Sequence, residues 1–142
     1  MQYETLKAIL KKNGSSLTHT RRYIFDLLWG QEPQSMAVLI SRAGEKVDRA
    51  TIYRTVELFE RLGIVTRLNI GWKYRVELSD VFSEHHHHMH CSNCGKVVNL
   101  PANPMLETMI DTLSAKANFA PRGHTLEIFG FCPACQSSVK SG

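Results

Sequence analysis

Glu84-His85-His86-His87-His88-Met89-His90-Cys91-Ser92-Asn93-Cys94-Gly95 gathers five imidazoles and two thiols into ten residues. Imidazole nitrogen and thiolate sulfur are the side-chain donors that transition metals prefer. The run is internal and merges into a cysteine knuckle, so it reads as native sequence and not as a purification tag. A second pair, Cys132-Pro133-Ala134-Cys135, completes the four cysteines of the chain. Two Cys-x2-Cys knuckles make one four-thiolate zinc site, since each supplies two thiolates from a tight turn and the tetrahedron closes when the turns meet. Two disulfides are the competing use of four cysteines, but no apolar secretory segment precedes them and the paired spacing favours zinc. The second pair alone also has the form of a redox dithiol. Its twin at Cys91 and Cys94, followed by Gly95, favours the structural reading.

Outward from this centre, 142 residues suffice for one ordinary domain or two small ones, and 43% hydrophobic content supports packed cores. No run of eighteen apolar residues and no signal peptide is present, so a soluble, cytoplasmic protein without a membrane partner is expected. The net charge of +4 is unevenly spread. Residues 1–79 hold 13 lysines and arginines against 8 acidic residues, whereas residues 80–142 hold 4 against 5. The basic half is the candidate for a polyanion, and the near-neutral half for metal and self-association.

The N-terminal half reads as four short amphipathic helices. Residues 2–13 place Tyr3, Leu6, Ile9 and Leu10 on one stripe, and Gly14 stops the helix. Thr18 or Thr20 caps a second helix over Arg21–Trp29, with Ile24, Leu27 and Leu28 inward and Gly30 at its end. Ser35 caps a third, Met36–Ala43, burying Met36, Leu39 and Ile40 before Gly44. Asp48 caps a fourth in which Ile52, Val56, Phe59 and Leu62 share a face, while Arg49, Tyr53, Arg54, Glu57 and Arg61 turn away from it. The period then changes to strands, Ile64–Asn69 and Lys73–Leu78 about a Gly71 turn. Helices followed by a hairpin predict a winged helix, in which the helix before the wing enters the major groove and basic residues hold phosphates. A merely solvated helix face is the plain alternative for Arg49, Tyr53, Arg54 and Arg61.

Ser79–Glu84 is polar and lacks a period, which places the division there: residues 1–79, a hinge at 80–84, and a metal-binding unit at 85–142. In that unit Lys96–Leu100 reads as a strand, and Asn103 with Pro104 opens a helix to about Ala117 with Leu106, Ile110, Leu113 and Ala117 inward. Met105, Met109 and Leu113 recur at four-residue spacing, which suits core or dimer packing better than sulfur ligation. Thr125–Phe131 alternates as a strand leading to the second knuckle.

In this order the segments resemble the ferric uptake regulator family of metal-dependent bacterial repressors. The resemblance covers nearly the whole chain. It rests on Leu17-Thr18-His19-Thr20-Arg21, on Asp48-Arg49-Ala50-Thr51-Ile52-Tyr53-Arg54-Thr55-Val56 as recognition helix, on Gly63-Ile64-Val65-Thr66-Arg67 entering the wing, and on the histidine run with both knuckles. The resemblance implies an α+β protein: an N-terminal winged helix-turn-helix domain, then a small α/β dimerisation domain with a four-cysteine zinc site. It further implies a homodimer that binds palindromic double-stranded operator DNA.

Carried over by position, Cys91, Cys94, Cys132 and Cys135 match the structural zinc ligands. His85 and His87, with Glu107 and His124, match an additional metal site. His86 and His88 match the sensing site between the domains, with Asp80 or Glu77 as carboxylate. Side chains alternate sides along an extended segment, so neighbouring histidines serve different sites. The chain departs from the family where many members have a histidine before the third helix, since it reads Glu32-Pro33-Gln34, and it has Asn99 where many have an acidic residue. The sensing site is then expected to be poorer in ligands or differently built, recruiting His90 or Glu84.

Imidazole and carboxylate suit iron(II), manganese(II) and zinc(II), and with all four cysteines used structurally, iron is the first choice. A zinc-responsive or a manganese- or peroxide-responsive member is the alternative. In the implied contacts Tyr53 offers its ring to a thymine methyl and Arg54 reaches a base or phosphate, with Thr51 on the same helix. Arg21, Lys46 and Arg49 position the DNA backbone. Two rivals belong to other classes. A zinc hydrolase needs an open water position and a general base, and the chain has no His-Glu-x-x-His arrangement. A thiol oxidoreductase working through Cys132 and Cys135 predicts two reactive thiols in the native protein.

Overall fold

Thr18, Ser35, Asp48 and Asn103 each accept a backbone N–H from the first turn of the helix that follows, and these four caps set where the main helices begin. The structure, a computed structural model, describes residues 1–138. It divides into two compact units, Met1–Glu84 and a second from His85 onward.

The first unit runs α1 (Gln2–Lys12), α2 (His19–Leu28), α3 (Met36–Ala43), a 3-10 turn (Gly44–Lys46), α4 (Arg49–Arg61), then β1 (Val65–Ile70) and β2 (Lys73–Leu78). The strands form an antiparallel hairpin in the register Val65↔Leu78 to Ile70↔Lys73. Gln34 adds a two-way backbone bridge to Val76 at 2.9 and 2.8 Å, tying the loop before α3 to the outer side of β2. One apolar core joins the four helices and both strands through Leu6, Leu10, Ile24, Phe25, Leu28, Leu39, Ile52, Val56, Phe59, Ile64, Val65 and Val76. Each such side chain contributes about 1.5–3 kcal/mol on leaving water. Phe25 is a core member that the helical stripe of Ile24 and Leu28 did not single out; it contacts the rings of Tyr3, Trp29 and Phe82. α3, the 3-10 turn and α4 make the helix-turn-helix, and the hairpin is its wing. The chain thus has the mixed architecture expected of it.

The second unit holds β3 (His86–Cys91), β4 (Val97–Pro101), α5 (Pro104–Lys116), β5 (Glu127–Gly130) and a short α6 (Pro133–Gln136). β3 is central, antiparallel to β4 and parallel to β5. The expected inner face of α5 needs correction. Leu106 and Ile110 are half-buried as expected, but Leu113 is 59% exposed and Ala117 lies on the surface. The half-buried side consists of Leu106, Glu107, Ile110 and Ser114. The helix carries two apolar stripes, and the Met105, Met109 and Leu113 stripe faces solvent. β5 is an edge strand with every residue exposed, Phe129 at 63%. Few aliphatic side chains are buried in this unit; its interior is built from His87, His88, His90, Cys91, Val97 and Cys135.

Candidate functional site

β3 carries the donors because its histidines occupy consecutive positions of an extended strand, so they divide between its faces. On one face His87, with its side chain 1% exposed, meets the carboxylate of Glu107 from the first turn of α5 at 2.6 Å. His124, from the loop before β5, reaches the other Glu107 oxygen at 2.7 Å, and His85 lies 3.5 Å from the same oxygen. The Nε2 atoms of His85 and His124 are 3.3 Å apart. One donor atom from each of His85, His87, Glu107 and His124 lies within 4.8 Å of every other. A tetrahedron with ligands at 2.0–2.1 Å has edges of about 3.3–3.4 Å, so the imidazole pair already stands at that spacing. The shorter imidazole–carboxylate pairs are hydrogen-bonded, and their protons give way when a cation takes the position. The hydrogen bond from His87, followed by the fields of the other two rings, holds the Glu107 carboxyl below its ordinary value. It is therefore a ready anionic ligand.

The four thiols form the second cluster. Cys91 and Cys135 are buried, Cys94 is exposed, and none is in a disulfide. All four Sγ atoms lie within 4.8 Å of one another, with Cys94 and Cys132 at 3.8 Å. A ZnS4 tetrahedron with 2.3 Å bonds has edges of about 3.8 Å, whereas a disulfide needs about 2.05 Å. The set suits a structural zinc. Gly95 makes the first knuckle's turn at φ +77°, a conformation that a side chain would strain. The Cys132 N–H bonds to Cys91 Sγ at 3.3 Å, and this and the Cys94 N–H draw that thiol down to about 6. The Asn93 amide, 3.3 Å from Cys135 Sγ, pulls its thiol the same way, but Cys132, burial, Cys91 and Cys94 together push it up to about 11. One thiolate forms readily and the last resists, because crowded anions repel unless a cation sits among them.

His86 and His88 share the opposite face of β3, their ring centroids 4.8 Å apart. Glu77 is buried on β2, and Asp80 is exposed in the turn after it. Gln34, in the Glu32-Pro33-Gln34 stretch before α3, is committed elsewhere. Its amide Nε2 donates to the Leu27 carbonyl at 3.1 Å, and its Oε1 accepts from Arg42 Nη1. His90 is buried against the Phe129 ring, with Nε2 3.4 Å from Glu127, outside both complete clusters.

In the first unit, Arg49, Arg54, Glu57 and Arg61 are exposed along α4, as the helical period requires, whereas Tyr53 is half-buried on the core. Asp48 binds both the Thr51 N–H, at 2.8 Å, and its hydroxyl, at 2.9 Å; these bonds hold the Asp48 carboxyl below its ordinary value. Arg54 donates to the same hydroxyl at 3.2 Å, and Arg49 lies over the Tyr53 ring. Arg21 is anchored by the Ser16 carbonyl at 2.6 Å, and Lys46 lies 5.2 Å from the Tyr23 ring centroid. Arg21, Thr51 and Arg54 line one surface concavity of about 300 Å³, together with Thr18, Thr20 and Thr55. Sequence reading missed the three added threonines at this surface; the signal for Thr18 and Thr20 is the cap motif at the start of α2, and Thr55 lies on α4.

The model of the ferric uptake regulator family matches residues 12–129. The chain belongs to that family. Its members are metal-responsive transcription regulators, and so is this chain. A Ferric uptake regulation protein of Campylobacter upsaliensis is 32% identical over 96% of this chain and 90% of its own length. The solved Vibrio cholerae ferric uptake regulator is 32% identical, with TM-score 0.71 over 87% of this chain and 96% of that one. The Helicobacter pylori ferric uptake regulator has TM-score 0.80 over 94% of this chain and 91% of that one; at 24% identity it speaks for the fold alone. Family regulators bind metal ions and DNA as dimers.

Proposed function

We propose that this chain is a cytoplasmic repressor that binds palindromic double-stranded operator DNA as a homodimer loaded with iron(II). The observation that carries this reading is the division of donors along β3, with one four-donor cluster completed by Glu107 and His124 and a second histidine pair on the other face. The four cysteines hold structural zinc. His85, His87, Glu107 and His124 bind an additional ion that braces the C-terminal unit. His86 and His88 bind the sensing ion, with the carboxylate of Glu77 or Asp80 from the N-terminal side of a hinge at 80–84. Gln34 contributes nothing to this set, because its side chain is spent on Leu27 and Arg42. Iron is favoured by the names of the curated relatives and by a nitrogen and oxygen donor set with no thiolate left over.

The mechanism is linkage. An ion bound more tightly in one relative arrangement of the units shifts the population toward it, and the same ion thereby favours DNA. A two-fold dimer presents two α4 helices to half-sites that lie about one helical turn apart or overlap. The dimer forms through the exposed edge of β5 with Ile128 and Phe129 and through the Met105, Met109 and Leu113 stripe, apolar surface that otherwise stays in water. Both clusters offer four protein donors, so neither keeps the open water position that a catalytic zinc uses.

The test combines metal analysis with DNA binding. Untagged protein is assayed by mass spectrometry for bound metal, and by gel shift on a palindromic duplex selected from a random pool, with iron(II), manganese(II), zinc(II) or no added metal. Tightest binding with iron(II) is expected. Tightest binding with zinc(II) or manganese(II) replaces iron as inducer, and binding indifferent to metal overturns the reading.

A further inference from the structure

Trp72 stands at the tip of the wing with its side chain as open to water as in an unfolded chain, at 102% relative exposure. Tryptophan is on average a highly buried residue, and hairpin turns are ordinarily finished with small polar residues. The other tryptophan, Trp29, packs on Phe25 at 5.6 Å between ring centroids. Nothing in its own unit covers Trp72, and no turn geometry requires an indole there. Gly71 takes the left-handed position at φ +62° and Ile70 pairs with Lys73, leaving a two-residue turn with glycine first, the pattern of a type II′ turn. The second position accepts almost any residue.

The base of the wing is tied to the body of its unit. Arg67 on β1 donates two hydrogen bonds to one Glu60 oxygen at the end of α4, at 2.9 and 3.2 Å, and its guanidinium lies 3.9 Å from the Tyr74 ring centroid. Arg75 on β2 reaches the Pro33 carbonyl. The first tie fixes the base of the wing to α4, the helix that carries Arg49 and Arg54, and the second to the loop before α3. Beyond the Arg67 tie the strand runs on for three residues, about 10 Å, before the turn. A helix seated in a major groove has the neighbouring minor groove within half a helical turn, roughly 17 Å, and that groove is the nearest duplex surface for a wing extending from the end of α4. The exposed Lys73 next to the indole adds a cation for the adjacent phosphates.

We propose that Trp72 is a DNA-contacting residue of this chain, laying its indole against the sugars and base edges of the minor groove that flanks each half-site. The occupant is the same duplex, and the inference rests on the DNA-binding reading of the N-terminal unit. Apolar side chains are used in this way at minor grooves, where a large flat surface leaves water without needing a base-specific partner. The contact is therefore tolerant of sequence and extends the footprint outward from the bases read by α4.

The test uses the metal-loaded full-length protein and the selected palindromic duplex with its flanks kept. Trp72→Ala is expected to weaken binding about tenfold, the order expected for returning a large apolar side chain to water, with metal content, dimer and thermal midpoint unchanged. The slope of affinity against salt stays the same, because no phosphate contact is lost, whereas Lys73→Ala lowers that slope by about one. In a Trp29→Phe background, where Trp72 is the one tryptophan and is excited selectively, its fluorescence is quenched on adding duplex and becomes shielded from acrylamide. Arg54→Ala, run in parallel, separates the two ideas. Loss of binding in Arg54→Ala with no change in Trp72→Ala or in the Trp72 emission overturns the wing contact and leaves the DNA face standing. Unchanged binding in both overturns the DNA face itself.

Discussion

The two units are stabilised by different chemistry, although they are joined in one short chain. Met1–Glu84 buries a continuous set of aliphatic and aromatic side chains drawn from every helix and both strands. The unit from His85 buries chiefly imidazole and thiol, and its one sheet ends in an edge strand with no residue covered. A small unit with so little apolar interior needs another source of stability, and a structural zinc supplies on the order of 10 kcal/mol of coupled folding. The first unit folds from its own hydrophobic burial. The second makes metal part of its fold.

The largest expected break is at the thiols. Cys135→Ser leaves three thiolates, and the C-terminal unit loses its fold and the dimer while α2 and α4 persist; analytical ultracentrifugation with far-UV circular dichroism reads both. Next is Phe59→Ala, which opens a cavity in the apolar core and costs about 3–5 kcal/mol. It lowers the melting temperature of the N-terminal unit and leaves one zinc per chain. Arg54→Ala comes third, weakening DNA binding by about 1–3 kcal/mol with metal content intact. Within β3, His86→Ala removes metal-dependent DNA binding, while His87→Ala breaks the Glu107 cluster and lowers the stability of its own unit. Identical behaviour of the two, in a metal-titrated gel shift with zinc measured in parallel, makes the run one undivided site.

The smallest effect is at Asp48. Its carboxyl is held below the ordinary value by the Thr51 bonds, so its contribution is fully present above the unfolded value near 3.9 and is lost as pH falls through the lower folded value. Asp48→Asn, which keeps the cap without the charge, flattens that part of the acid unfolding profile.

The sequence was most legible where one residue type has one job. The caps at Ser35, Asp48 and Asn103 announced their helices, Thr18 was one of the two caps offered for α2, and the hairpin followed from alternation about Gly71. The knuckles could be paired before their sulfurs were seen to meet. The reading failed where one pattern has two uses. Leu113 and Met109 fit an apolar stripe, yet a stripe facing the sheet and one left for a partner have the same period. The Glu32-Pro33-Gln34 stretch was legible as lacking a histidine, but Gln34 was not legible as a link between Leu27, Arg42 and Val76, since those contacts depend on how the loop before α3 meets β2. The exposure of Trp72 was hidden for the same reason: a side chain's surroundings are a property of the fold.

Amide hydrogen exchange before and after chelation of the full-length protein tests the division of labour directly. The account predicts that the amides of β3, β4 and β5 lose their protection when the metal is withdrawn, while those of α2, α4 and β1 keep theirs. Equal loss in both units, or protection of β3 that survives removal of every bound ion, contradicts it.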